Sequence, residues 1–498
     1  MTEECDNLPR GWDYECLGQL GVWSGGGTPS KANYAYWTNG TIPWVSPKDM
    51  KSERIRSSED LITEEATQRT PAKPVPPGSV LMVTRSGILA HTFPVAVTER
   101  VVAINQDLKS LTPYEGIDAN FVAWYLRYRS SAILAECAKH GTTVASIEMD
   151  RLRKLRVPIA PAKEQRRIVE KIEALFAELD KGEESLRQVQ KLLARYRQSV
   201  LKAAVTGELT ADWRARHAGK LEHGRDLLAR ILKARREKWQ GRGRYVEPAE
   251  PDTRNLPKLP DGWVWSSLGQ LIVTIEAGKN VRCEERPPRA AEVGIVKVSA
   301  VTWGEFDELQ SKTITDPSYV SPSLRIQEGD LLISRANTLE LVGASVVVGP
   351  VQRHLQLSDK VLRLRCAYPL EHWLNITLRS ALGRAQIQAF ATGAQLSMRN
   401  ISQENMQRIA VPLPPPEEIN LLVAKTALLQ AQEKEMLSVV LDTMKRSGVL
   451  RQTILKDAFS GRLVPQDPND EPAAELLARI RAQRAMESRK TARRMATA

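Results

Sequence analysis

After Pro161 the apolar residues Ile168, Ile172, Leu175, Leu179, Leu186, Val189, Leu193, Tyr196 and Val200 recur in alternating steps of four and three, with Gly182 the one weak member. That spacing keeps them on one narrow stripe and predicts a coiled-coil helix of about five heptads, roughly 50 Å long at ~1.5 Å per residue. A core helix of a bundle is the alternative, but it would carry a wider apolar face. A second run follows Pro414-Pro415-Pro416. It has Leu422, Leu429, Met436, Val440, Leu450 and Ile454 in register, with Thr426, Glu433, Thr443 and Ser447 at other seam positions, so it is the more polar partner. Neither stripe stays dry alone. The two helices are therefore expected to pair within the chain, antiparallel under pseudo-two-fold symmetry, through Ile168, Ile172, Leu175, Leu179, Leu186, Val189 and Leu193 on one side and Leu422, Leu429, Met436, Val440 and Leu450 on the other.

The rest of the chain is also written twice, at a period near 250 residues. Leu8-Pro9-Arg10-Gly11-Trp12 returns as Leu259-Pro260-Asp261-Gly262-Trp263. Arg197-Gln198-Ser199-Val200-Leu201-Lys202 returns as Arg451-Gln452-Thr453-Ile454-Leu455-Lys456, and Leu227-Leu228-Ala229-Arg230-Ile231 as Leu476-Leu477-Ala478-Arg479-Ile480. A period this long means tandem copies of a multi-element module rather than a solenoid. In each copy a glycine turn precedes a short apolar strand, Val80-Leu81-Met82-Val83 after Gly78 and Leu331-Leu332-Ile333 after Gly329. Residues 344–348 and 361–364 also read as strands. One helix-like segment follows in each copy, from about Asp118 to His140 with Gly141 as its stop, and from about Leu370 to Thr392 with Gly393 as its stop. Strand-like stretches then end at Val157-Pro158 and Val411-Pro412 before the proline junctions. The modules are mixed α/β, and the paired helices are expected to hold them apart as a spacer.

Charge narrows the partner. Lys and Arg outnumber Asp and Glu by 71 to 59, a net +12, while 42% hydrophobic and 26% charged residues describe an ordinary globular chain. A polyanion is the first candidate, with nucleic acid, an anionic membrane and an acidic protein all compatible. The excess concentrates between Trp213 and Val246 and again from Arg479 onward, where the side chains either touch phosphates or are simply solvated. Five scattered cysteines without a CxxC pair argue against a disulfide framework or a zinc site. The acidic start and the lack of a long apolar run lead to the expectation of a cytoplasmic protein with no membrane partner. No phosphate-binding loop, metal-protease, nucleophile-elbow or amino-methyltransferase motif occurs, Gly25-Gly26-Gly27 has no cofactor fingerprint around it, and the six histidines are dispersed. Neither catalysis nor a metal site is expected.

Donor-rich loops recur in both copies. Thr84-Arg85-Ser86 follows one strand and Ser334-Arg335-Ala336-Asn337 its counterpart. Lys139-His140-Gly141-Thr142-Thr143 is matched by Thr392-Gly393-Ala394-Gln395-Leu396-Ser397-Met398-Arg399, and Ser46-Pro47-Lys48 by Lys297-Val298-Ser299. Arginine chelates guanine and asparagine chelates adenine in the major groove, each bidentate pair discriminating by about 1–3 kcal/mol; the competing reading is that these groups merely close turns. The candidate DNA contacts are Lys48, Thr84, Arg85, Ser86, Lys139, His140, Thr142, Thr143, Lys297, Ser334, Arg335, Asn337, Gln395 and Arg399.

Together the two Gly-Trp openings, the segment from Gly141 through Ile147 to Val157-Pro158, Glu164-Gln165-Arg166-Arg167-Ile168-Val169, the Ser334-Arg335-Ala336-Asn337 turn and the repeated Arg-Gln-[Ser/Thr]-[Val/Ile]-Leu-Lys endings resemble the specificity subunit of type I restriction-modification systems. The resemblance implies an α+β architecture of two tandem target-recognition domains, 1–160 and 259–413, joined by long antiparallel helices, 161–210 and 414–464, with a basic linker at 211–258 and a basic helical tail at 465–498. It implies that each domain reads one half of a bipartite site on double-stranded DNA. The partners it implies are two modification subunits, carrying S-adenosylmethionine chemistry, and restriction subunits, carrying ATP, Mg and the nuclease; no cofactor is expected on this chain. One departure is Glu417-Glu418-Ile419 where the first junction has Glu164-Gln165-Arg166, which leaves the symmetry of partner docking open. A stand-alone modifying enzyme and a coiled-coil scaffold without DNA are the rival classes.

Overall fold

The computed structural model describes residues 8–139, 144–237, 244–395 and 398–496, with side chains to 486. The chain forms two compact units, residues 1–186 with 442–498, and residues 187–441. Each long helix is one continuous element, Ala162–Val205 and Pro416–Phe459, of 44 residues apiece, and contributes one end to each unit.

In the first unit a five-stranded sheet runs in the order Gly21–Gly25, Leu108–Pro113, Val80–Val83, Val95–Thr98, Arg54–Ile55. A four-stranded sheet of Asp60–Ile62, Ile42–Val45, Val102–Ile104 and Pro74–Val75 accompanies it. The second unit repeats the plan, with Ile272–Ala277, Val361–Cys366, Leu331–Ser334 and Ser345–Val347 in one sheet and Cys283–Glu284, Ser311–Ile314, Val293–Val296 and His354–Gln356 in the other. The strands expected at 80–83, 331–333, 344–348 and 361–364 are present, as are those expected to end at Val157-Pro158 and Val411-Pro412. Val80–Val83 is buried at every position, as is Leu331–Ser334, which explains why they read as continuous apolar runs rather than alternating ones. Each module closes by pairing its first strand with its last, Asp13–Cys16 with Arg156–Ile159 and Val264–Ser267 with Ala410–Leu413. Gly11 and Gly262 turn into those first strands at φ +82° and +87°, a conformation that glycine adopts without strain.

Each helix-like segment expected after the sheets is two helices. Ala119–Tyr128 and Ser130–Cys137 meet at Arg129, and Glu371–Arg379 and Ala381–Phe390 at Ser380. At the second break Ser380 is extended and caps the next helix by accepting from Gly383 N, so a competing side-chain acceptor starts a new helix inside a stretch whose apolar period never stops. The glycine stop also moves: the helix ends at Phe390, and Gly393 lies inside the strand Thr392–Gln395. Asp118 caps the first of the four, accepting from Asn120 N at 2.7 Å and Phe121 N at 3.1 Å. Asp118→Ala is expected to cost about 1 kcal/mol, read as a lower urea midpoint with unchanged slope; an equal midpoint would mean that these amides find other acceptors.

Helix pairing is antiparallel within each unit. In the first, Arg451 reaches Asp180 at 2.7 Å and Glu183 at 3.1 Å, and Ser447 donates to Glu183. In the second, Arg197 binds Glu433 through two nitrogens, and Lys425 reaches the Leu209 carbonyl. Ile168, Ile172, Leu193, Leu422 and Val440 are buried, and Leu175 and Leu179 pack against the first core. Leu186 and Leu429 are half-buried. Val189, Met436 and Leu450 depart from the expectation, at 40%, 46% and 47% exposure. A two-helix seam covers its side chains from one direction only, whereas the helix ends have a module as a third layer. The polar seam positions are consistent with this: Thr426 and Glu433 are buried, and the Arg197–Glu433 pair occupies space that aliphatic side chains would otherwise fill.

The segments after the long helices fold back as well. Gly224–Glu237 buries Leu227 and Ile231 in the core of the second unit, and Gly224 N donates to Gly262 O. Ala473–Ala496 buries Leu476, Leu477 and Ile480 in the first, where Ala473 N donates to Gly11 O. Phe459, at the end of the second long helix, is surrounded by Phe121, Tyr125 and Tyr128. Each unit is thus a module, the start of its own long helix, the end of the other, and the segment that follows that end. The equivalence Pro161 to Pro415, fixed by their packing against Gly11 and Gly262, sets Glu164 opposite Glu418, one residue from the alignment read in the sequence.

Candidate nucleic-acid interface

In both modules the turn after the central strand and the hairpin after the helix pair meet at one edge. Arg85 bridges Ser146, Ser86 N donates to Ala145 O, and Ile147 N to Thr84 O, while Lys139 pairs with Ser146 in the hairpin ladder. In the second module Ala336 pairs with Asn400, Asn337 with Arg399, and Ile401 N donates to Arg335 O, joining Ala336–Asn337, Met398–Asn400 and Thr392–Gln395 into a three-stranded sheet. The ladders make Arg335 equivalent to Thr84 and Arg85 equivalent to Ala336. The two arginines therefore occupy adjacent, not identical, positions, and successive positions of an extended chain face opposite ways.

The candidates divide into free and engaged groups. Arg85, Arg335 and Gln395 are exposed, and among the described residues the two guanidinium groups have no hydrogen bond or ion pair. Thr84 and Ser334 are buried and structural: Thr84 Oγ1 donates to Asp107 O at 3.0 Å, and Ser334 Oγ donates to Leu341 O and accepts from Ala344 N. Burial under the strand ends, where backbone groups need partners, removes both from a DNA-contacting role. Ser86 caps the short helix Gly87–Ala90. Asn337 Oδ1 accepts from Thr338 N at 2.9 Å, leaving its amide nitrogen close to Thr302 at 3.5 Å. Arg399 Nη1 donates to Gly393 O at 2.6 Å. Lys139 sits 3.4 Å from Glu148. His140, Thr142 and Thr143 lie outside the described residues.

Lys48 and Lys297 are not counterparts. The parallel pairings Trp44 with Ala103 and Ile295 with Gln356 make Lys297 equivalent to Ser46. Lys48 is held by Glu59 at 3.0 Å and Asp60 at 2.9 Å, whose hydrogen bonds, Asp60 first, raise its pKa well above the usual ammonium range. Two carboxylates thus share an ammonium whose side chain stays 43% exposed. Among residues missed in the sequence, Lys360 is exposed beside Arg335, whose backbone N donates to Lys360 O; an isolated Asp359-Lys360 pair carried no motif signal.

Much of the basic linker is already paired. Arg214 binds Glu418, Arg230 sits 3.0 Å from Glu222, Arg235 donates to Ile272 O, and Arg236 pairs with Glu247. In the tail Arg479 pairs with Glu471, and Arg481 with Glu15. Among the described residues there is no group of three metal-ligating side chains, and no helix is long and apolar enough to cross a membrane.

These features define a class: a tandem α/β protein in which each module presents a turn-and-hairpin edge and is bound to long paired helices. Residues 9–188 match the family model of the type I restriction modification DNA specificity domain. The chain is 40% identical over 184 residues to the type I restriction enzyme EcoR124I/EcoR124II specificity subunit of Escherichia coli. That match covers 36% of this chain and 46% of the relative, so the chain spans less than half of that relative's length. It is 25% identical over 398 residues to the EcoKI specificity subunit of Escherichia coli strain K12, covering 77% of this chain and 76% of the other. A solved chain described under complex assembly and conformational transition of the type I R-M system has a TM-score of 0.62 at 20% identity, covering 92% of this chain and 100% of that one, which shows the fold. The chain is thus similar to type I restriction-modification specificity subunits, with the DNA specificity domain matched over residues 9–188.

Proposed function

We propose that this chain is the sequence-reading subunit of a type I restriction-modification complex, and that each module reads one block of a bipartite site on double-stranded DNA. The observation that carries this is the duplicated edge, where an exposed arginine without an internal partner stands beside a hairpin in both modules. Arginine in that state is available for the O6 and N7 of guanine or for phosphate. Modification subunits supply methyl transfer with S-adenosylmethionine, restriction subunits supply ATP-driven translocation and cleavage, and this chain is not itself an enzyme. Its similarity to specificity subunits, with the specificity domain matched over residues 9–188, and the two-module plan support the reading.

The test is to express the chain with its modification subunit and map methylated adenines across a genome. Two short specified blocks with a constant unspecified gap are expected; a contiguous motif contradicts the proposal. Helix length is expected to set that gap. Inserting four residues at matched positions in both long helices adds about 6 Å, against roughly 3.4 Å per base pair, so the mapped gap lengthens by one to two base pairs while both blocks keep their sequence. An unchanged gap would separate spacing from the helices.

A further inference from the structure

Three backbone-matched positions differ in charge between the modules. Where the first has Ser46, Asp60 and Asp107, the strand registers place Lys297, Lys312 and Lys360 in the second. The three lysines line one cleft of about 430 Å³ with Asn280, Ser299 and Ser358, against two carboxylates, Glu285 and Asp359. Glu285 sits between two of the lysines, hydrogen-bonded to Lys312 and 3.4 Å from Lys297. Lys360 is exposed. Ser358, a residue lining the cleft, is 7% exposed, and its buried hydroxyl has no hydrogen-bond partner, which is costly for a buried polar group. The first module has no such vacancy: Asn105, equivalent to Ser358, bonds to Asp107 through both ends of its amide.

Building on the reading of the chain as a DNA-recognition subunit, we propose that this cleft seats a backbone phosphate of duplex DNA, with Lys297, Lys312 and Lys360 as donors and Glu285 as a resident carboxylate that the phosphate displaces. Glu285 already satisfies the two lysines in the way an incoming anion would. The hydrogen bond from Lys312, ahead of that from Lys297, holds its pKa below the ordinary range, so it remains an anion at neutral pH. The Arg335 amide bonds to the Lys360 carbonyl, so the anchor is continuous with the turn that reads sequence. The second module therefore has a phosphate contact that the first lacks.

The test measures duplex binding by the full chain assembled with its modification subunits across a salt series. Glu285→Gln is expected to tighten binding about threefold or more with the preferred sequence unchanged, because the phosphate no longer competes with a fixed charge. Lys360→Ala is expected to weaken binding to all sequences alike and to lower the slope of log affinity against log salt by about one. The proposal is overturned if Lys360→Ala leaves that slope intact, or if Glu285→Gln weakens binding, as the loss of a mere structural brace would. If the unaltered assembly shows no salt-sensitive duplex binding, the DNA reading fails first and this inference with it.

Discussion

Arg214→Ala is expected to destabilise the second unit by about 3–5 kcal/mol. Glu418 is fully buried and accepts from Arg214 Nη1 at 2.5 Å, Thr210 Oγ1 at 2.6 Å and Trp263 Nε1 at 2.8 Å. Three elements meet on that carboxylate: the start of the second long helix, the chain leaving the first, and the Gly-Trp opening of the second module. The alanine variant leaves a buried anion with two neutral donors, and it also removes the bond from Arg214 to Gly207 O that holds the left-handed turn at φ +75°. In urea the transition reported by the second unit should move to lower denaturant while that of the first stays in place, and limited proteolysis should open the chain after residue 206. An unmoved midpoint would mean that water reaches Glu418 and replaces the guanidinium.

Arg335→Ala is expected to reduce affinity for the preferred site by about 1–3 kcal/mol and to relax sequence preference within one block only. The side chain is exposed on the turn between Leu331–Ser334 and Ala336–Asn337, and its backbone is fixed from two directions by Lys360 O and Ile401 N. The alanine variant therefore deletes a contact without disturbing its support. Arg85→Ala is its complement in the first module, with the loss falling in the other block. Binding measured against duplexes with single-base changes distinguishes this from phosphate contact: a uniform loss over all sequences would assign Arg335 to the backbone instead.

The parts of this architecture legible in the sequence are those set by short-range periodicity. The heptads from Ile168 to Val200 and the repeated Gly-Trp openings predict the long helices and the duplicated modules. The fully buried Val80–Val83 and Leu331–Ser334 announce themselves as uninterrupted apolar runs. What stayed illegible depends on long-range pairing. A helix break at Arg129 or Ser380 does not interrupt apolar spacing. Exposure at Val189, Met436 and Leu450 depends on whether a third layer covers the seam, which one helix's pattern does not encode. The equivalence of Arg335 with Thr84, or of Lys297 with Ser46, rests on hydrogen-bond ladders, because insertions between the anchors shift register by a residue and so change which face a side chain occupies. The buried Thr84 and Ser334 looked like DNA donors for the same reason: a hydroxyl next to an exposed arginine in sequence points into the sheet in space.

The central claim is that two independent readers on one chain specify one interrupted site. It is tested most directly by mapping methylated adenines in cells carrying the modification subunit with the unaltered chain, Arg85→Ala or Arg335→Ala. The account requires two blocks, with each variant degrading a different one and leaving the gap unchanged. Both variants degrading the same block, or a single uninterrupted motif from the unaltered chain, would contradict it.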